Sequence, residues 1–187
     1  MNLKDAFIST IKEIVQTALI SLGIFLFVYV FLVQPHRVQG VSMVPTFENG
    51  ELLLTEKISY HVSPVERGDV IVFAAPVEQK VDFIKRIIGL PGENVMVKDG
   101  SVVINGLKLD EPYIKIETPS EINITVANDE FFVMGDNRNA SSDSRSFGPI
   151  KRSSIKGKVW LVYWPIAKSS GFAGARIFSR VHYGIPN

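Results

Sequence analysis

The sequence contains no cysteine, which excludes disulfides, thiolate metal sites and a cysteine nucleophile. Histidine is scarce: His36, His61 and His182 are far apart and fall in no ligand-spaced motif, so no metal site and no other cofactor is expected. Neither sign of charge dominates. Twenty basic residues stand against nineteen acidic ones, for a net charge of +1, and no basic face or tail suits nucleic acid. Internal repeats, low-complexity tracts and a second long apolar run are also missing. A chain of 187 residues then has room for one ordinary domain and a short appendage.

The apolar residues that are present are unevenly spread. From Ile14 to Val33 the chain reads "IVQTALISLGIFLFVYVFLV", twenty residues without a charge. At about 1.5 Å per residue, such a helix spans roughly 30 Å, the thickness of a hydrocarbon core. Lys4 and Lys12 precede it, and the basic excess there favours a cytoplasmic N-terminus with the rest of the chain outside. A cleaved signal peptide is the alternative, since "VQG" (38–40) offers small residues near its end. The length of the run, and the bulky Phe and Leu residues in its second half, favour a retained anchor.

Beyond the anchor the periodicity is that of strands. Runs rich in Val, Ile and aromatics occur at 51–58, 69–75, 81–90, 93–99, 101–106, 130–136 and 158–164. Asp99-Gly100 and Asn105-Gly106 sit between such runs and suit tight hairpin turns with positive φ at both central positions. The expected fold is therefore mostly β: a single transmembrane helix followed by one antiparallel β-rich domain. Residues 107–128 are polar and read as an excursion. Trp160, Tyr163 and Trp164 suit either a membrane-interface surface or the strand core.

Three stretches carry chemistry. "GVSMVPTF" (40–47) places the Ser42 hydroxyl among apolar neighbours just after the anchor. A nucleophilic serine needs a base, and none of the histidines lies in a motif that aims it at Ser42. A lysine serves as base only when burial keeps it neutral. Lys85, in "VDFIKRIIGLPG", has Phe83 and Ile84 before it and Ile87 and Ile88 beyond, unlike the other lysines in their polar settings. On a strand Lys85 and Arg86 point to opposite faces, so one can go inward while the other is solvated or paired. A lysine snorkelling from an edge strand is the competing reading. "GDNRNASSDSRSFGP" (135–149) suits a hydrogen-bonded scaffold in which Asp143 pairs with Arg145, or a solvated or calcium-binding loop.

Taken together and in this order, these stretches resemble the bacterial type I signal peptidases, in their small Gram-positive form, over nearly the whole chain. The resemblance implies a membrane-bound Ser/Lys endopeptidase that removes signal peptides from exported preproteins, with small residues preferred one and three positions before the cut. It implies 1–13 as a short cytoplasmic N-terminus, 14–33 as the transmembrane helix and 34–187 as an extracytoplasmic peptidase domain in the cell membrane. It makes Ser42 the nucleophile, with its backbone N–H holding the oxyanion, and Lys85 the general base. Ser141 would orient the lysine, while Asp143 and Arg145, and more loosely Asp136, would form structural ion pairs. Val38, Met43, Phe47, Phe83 and Ile84 would shape the substrate pockets, with the substrate strand lying along Asp82 to Lys85. Its partners would be preproteins and the lipid bilayer. Two departures stand out. Larger relatives carry a serine two positions before the nucleophile as a second oxyanion donor, where this chain has Gly40. The loop reads "RNAS" where many relatives have "RDNS", so Asn139 and Ala140 replace a carboxylate and an amide. A processing peptidase of an organelle inner membrane, a self-cleaving repressor-type hydrolase and a catalytically silent membrane-tethered binder are the rival classes.

Overall fold

The computed structural model describes residues 3–76, 81–114, 116–165 and 176–177. Helix α1 (Leu3–Phe27) passes through a short π-helical turn (Val28–Leu32) directly into strand β1 (Val33–Arg37). The apolar stretch Phe7–Leu32 is long enough to cross a membrane and none of it is buried against the rest of the chain. Its side chains, among them Phe7, Leu19, Ile24 and Phe31, are exposed. The helix begins at Leu3, well before Ile14. Backbone hydrogen bonding continues through the charged first turns that lie outside the apolar run.

The strands that follow are β2 (Leu52–Glu56), β3 (Val70–Ala74), β4 (Asp82–Gly89), β5 (Asn94–Lys98), β6 (Ser101–Ile104), β7 (Leu107–Lys108), β8 (Ile122–Thr125), β9 (Glu130–Met134), β10 (Ile150–Lys151), β11 (Ile155–Trp164) and β12 (Arg176–Ile177). Two single-turn helices, α2 (Ser59–Val62) and α3 (Ser144–Phe147), interrupt them. The larger sheet has the order β1-β2-β11-β3-β4-β9-β10, with β12 added to β11, and the smaller one runs β7-β6-β5-β8. The pairings are antiparallel throughout. The mostly-β, antiparallel expectation matches this architecture.

Both expected hairpin turns are present. Asp99 and Gly100 have φ of 50° and 71°, and Asn105 and Gly106 have 51° and 85°. Strand β1 was not expected, because "VQPHR" has no alternation and contains Pro35. A proline is tolerated here because β1 is the edge strand of its sheet. Part of the 107–128 excursion is also sheet: Ile122 and Ile124 alternate with Asn123 and Thr125 and pair with β5.

Three apolar clusters hold the body together. One lies between the small sheet and the far end of β4, around Ile88, Val95, Val97, Val102, Phe132 and Met134. A second, around Val38, Met43, Phe47, Leu53, Val72 and Val162, supports the segment that carries Ser42. The third joins Ile71, Phe73, Ile87, Phe131, Val133 and Ile150 on another side of β3, β4 and β9. Strand β4 contributes to all three, which buries it on both faces and encloses both of its cations. Trp160 and Trp164 are exposed rather than part of these cores, and Tyr163 is half-buried.

Candidate active site

Ser42 sits in the turn after β1. Phe47 N–H donates to the Met43 carbonyl at 2.9 Å, Gly50 N–H to the Val38 carbonyl at 2.9 Å, and Gly40 N–H to Asn49 Oδ1 at 2.9 Å. Met43 and Phe47 are 1% and 0% exposed, so they plug this turn into the core instead of lining its open side. Gly40 has φ of +88°, a backbone region that favours glycine.

Lys85 reaches the same point from the middle of β4. Its Nζ lies 2.9 Å from Ser42 Oγ and 3.0 Å from the Ile84 carbonyl, and 5.1 Å from the centre of the Phe83 ring. The side chain is only 4% exposed, with no carboxylate in salt-bridge contact among the described residues. Burial lowers its pKa from 10.5 to about 8, against the opposing pull of Asp143 and Asp136. A lysine in that state is a usable base near neutral pH, and it is already placed on a hydroxyl.

The next residue is treated differently. Arg86 is fully buried and its Nε donates to Asp136 Oδ1 at 2.8 Å, its Nη1 to the Gly68 carbonyl at 3.0 Å. Thr46 Oγ1 donates to Asp136 Oδ2 at 2.6 Å, and the Tyr113 ring lies 4.3 Å from the guanidinium carbon. Arg138, also buried, donates to Glu111 Oε2 at 2.9 Å and to Thr118 Oγ1 at 2.8 Å, which ties the excursion to the 135–149 loop. Burial works against the Arg138 charge, but Glu111 outweighs it and raises the pKa. Arg86 was expected to be solvated or paired opposite an inward Lys85, whereas both are buried. Its partner and that of Arg138 escaped prediction because they lie fifty and twenty-seven positions away and leave no local signal.

Asp143 and Arg145 pair as expected, with Nε–Oδ1 at 2.8 Å and Nη2–Oδ2 at 2.9 Å. Asp143 also accepts from Gly135 N–H at 3.0 Å and from Arg145 N–H at 3.2 Å, capping α3. Burial alone would raise this carboxyl, but the hydrogen bonds from Arg145 and Gly135 and the Arg145 charge hold it below its ordinary value. The buried Ser141 hydroxyl stands close enough to Asp143 to help keep it ionised, yet outside hydrogen-bond geometry with any described residue. Gly135 fits between Ser141 and Ser42: a side chain there would collide with the Ser141 hydroxyl and the Ser42 carbonyl. That contact brings the loop and the Ser42 turn together.

A cleft of about 570 Å³ opens beside the Ser42–Lys85 pair. Val38, Asp82, Phe83 and Ile84 line it as expected, and the structure adds His36, Gln39, Leu53 and Ser142. Asp82 is paired with Lys156 at 2.6 Å. Burial lowers the His36 pKa, opposed by Asp82 and reinforced by Lys156 and Lys57. Residues 82–85 pair only with β3, whereas β9 takes up β4 from Arg86 onward, so their other backbone edge faces the cleft. No cluster of three or more metal-binding side chains exists among the described residues, and His182 lies outside them.

Comparison with known proteins places the chain in a family. The family described as "Signal peptidase, peptidase S26" matches residues 11–164. Signal peptidase I of Bacillus caldolyticus is 39% identical over 150 residues, covering 72% of this chain and 81% of that protein. Signal peptidase I of Leptolyngbya laminosa is 39% identical over 168 residues, covering 84% and 82% respectively. The crystal structure of a signal peptidase I from Enterococcus faecalis is 33% identical, with a TM-score of 0.48, covering 52% of this chain and 97% of that one. By the family match and the extent of these relationships, the chain belongs to the signal peptidase family of serine peptidases, peptidase S26.

Proposed function

We propose that this protein removes N-terminal signal peptides from exported preproteins, with Ser42 as nucleophile and Lys85 as general base. The observation that carries the assignment is the 2.9 Å contact between a buried lysine amine, lowered to about pKa 8, and a serine hydroxyl at the mouth of a cleft. Neutral Lys85 takes the Ser42 proton as Oγ attacks the scissile carbonyl, then returns it to the leaving amine. A water deprotonated by the same lysine releases the acyl-enzyme. Ser42 N–H stabilises the oxyanion. Asp143–Arg145 and Asp136–Arg86 hold the loop that backs the lysine, while the Ser141 hydroxyl, expected to orient the amine, makes no hydrogen bond to it.

The substrate binds as an added strand on the free edge of Asp82 to Lys85. Small side chains near the cut would sit against the apolar lining from Val38, Phe83 and Ile84, of which Val38 and Ile84 pack with Met43 and Phe47. Helix α1 anchors the chain in the cell membrane with its N-terminus cytoplasmic and residues 34–187 outside. The direct passage from the π turn into β1 keeps Ser42 within a short reach of the bilayer, where a signal peptide is itself inserted. Confining enzyme and substrate to one surface at one depth replaces a three-dimensional search.

The test is cleavage of a preprotein by the full chain in detergent or lipid. Ser42→Ala and Lys85→Met should abolish processing while the unfolding midpoint stays at or above that of the native chain. Near-normal processing by either variant removes the Ser/Lys assignment, and loss on replacing His36 or His61 alone restores a histidine base.

A further inference from the structure

The Ser42 N–H is one end of the Val41–Ser42 peptide, and the Val41 carbonyl is the other. A trans peptide is rigid and planar, so whatever fixes the carbonyl also aims the N–H. Asn137 touches both carbonyls flanking Ser42, and shares the Val41 carbonyl with the Val44 N–H, which donates to it at 3.2 Å within the turn. Asn137 Nδ2 donates to the Val41 carbonyl at 3.2 Å, and Asn137 N–H donates to the Ser42 carbonyl at 2.9 Å. A carbonyl only accepts, so the amide nitrogen is the atom that must face Val41.

We propose that Asn137 is a positioning residue for oxyanion stabilisation: by gripping the carbonyls of Val41 and Ser42 it orients and polarises the peptide whose N–H meets the developing oxyanion. The inference rests on the reading of Ser42 as nucleophile.

The surroundings make such a clamp necessary. Gly40, immediately before this peptide, sits at φ +88° with nothing within 4 Å of where a side chain would be. It supplies no hydroxyl, and its own N–H is engaged by Asn49 Oδ1 at 2.9 Å. The residue before this peptide therefore adds no side-chain donor, and its glycine backbone gives the turn little intrinsic stiffness. A hydrogen bond accepted by the Val41 carbonyl also draws charge through the amide and strengthens the N–H at its other end.

Asn137 can act as a fixed point because its neighbours on both sides are immobilised. Asp136 is bound to the buried Arg86 at 2.8 Å, and Arg138 Nε donates to the Gly135 carbonyl at 3.0 Å while its other nitrogens hold Glu111 and Thr118. The buried ion pairs thus set the position of Asn137, and Asn137 sets the Ser42 peptide.

The test uses Asn137→Ala and the near-isosteric Asn137→Asp in the full chain. Steady-state cleavage of a preprotein is measured beside affinities for two probes, with unfolding midpoints recorded for each variant. One probe is a signal-peptide aldehyde, which forms a tetrahedral adduct on Ser42. The other is an uncleavable peptide carrying proline after the scissile position. The expected result is a kcat about 10- to 100-fold lower with KM within about twofold, below the full loss of one donor. Aldehyde affinity should fall in parallel while uncleavable-peptide affinity holds. Unchanged kcat, a loss confined to KM, or undiminished aldehyde affinity overturns the proposal. Processing that persists in Ser42→Ala overturns the nucleophile reading and this inference together; processing lost in Ser42→Ala but intact in both Asn137 variants overturns this inference alone.

Discussion

Lys85 and Arg86 are consecutive on one strand, exposed by 4% and 0%, and their surroundings treat them in opposite ways. On the Arg86 side a carboxylate, a threonine hydroxyl, a backbone carbonyl and an aromatic face surround the guanidinium. On the Lys85 side there is a serine hydroxyl, one carbonyl and the Phe83 ring, with the carboxylates of Asp136 and Asp143 held at a distance by their own arginines. A paired buried charge stays charged and becomes a structural rivet. An unpaired buried amine becomes titratable and therefore reactive. The arginines occupy the carboxylates that would otherwise convert Lys85 into another ion pair.

Breaking the two sides should give different failures. On the dyad side, Ser42→Ala or Lys85→Met should lower kcat about 10⁴-fold or more without unfolding the chain, measured by single-turnover cleavage. On the rivet side, Asp136→Ala strands Arg86 and Thr46 in the interior and should cost about 3–5 kcal/mol of stability in denaturant unfolding. The same comparison makes Lys85→Met stabilising. Moving the lysine pKa from 10.5 to about 8 corresponds to roughly 3 kcal/mol of penalty on the folded state. Because the folded value is the lower one, the unfolded chain binds the extra proton. The gain from Lys85→Met is then full below pH 8 and fades as pH rises toward 10.5. The smallest effect belongs to the Lys156–Asp82 pair, whose lysine is 42% exposed: Lys156→Ala should change stability by no more than about 0.5 kcal/mol.

What could be read beforehand follows from where the physical signal lies. Alternating strands and the two Gly-containing hairpin turns are local properties, so β2 to β6, β9 and β11 were legible to within a few residues. The edge strand β1 was hidden by Pro35, and β8 by the polar residues around it. The meeting of Ser42 with Lys85 and the Asp143–Arg145 pair were legible because each residue lies in a short, distinctive stretch. Arg86 with Asp136, Arg138 with Glu111 and Asn137 with Val41 were not, since each joins segments that only the fold brings together. Met43 and Phe47 were placed near the right site but on the wrong side of it: their full burial supports the Ser42 turn from beneath. Gly40 marked where a donor is missing, and its structural consequence became visible only with the Asn137 contacts.

The most direct test of the central claim is the pH dependence of kcat/KM for preprotein cleavage by the full chain. Only the neutral lysine accepts a proton, so activity should rise with pH along a single limb of apparent pKa about 8. Asp136→Asn, which leaves Lys85 in place and removes a carboxylate that favours its charged form, should move that limb downward. A profile flat from pH 6 to 9, or a limb near the ordinary histidine value of about 6.5 that disappears when His36 or His61 is replaced, would contradict the account.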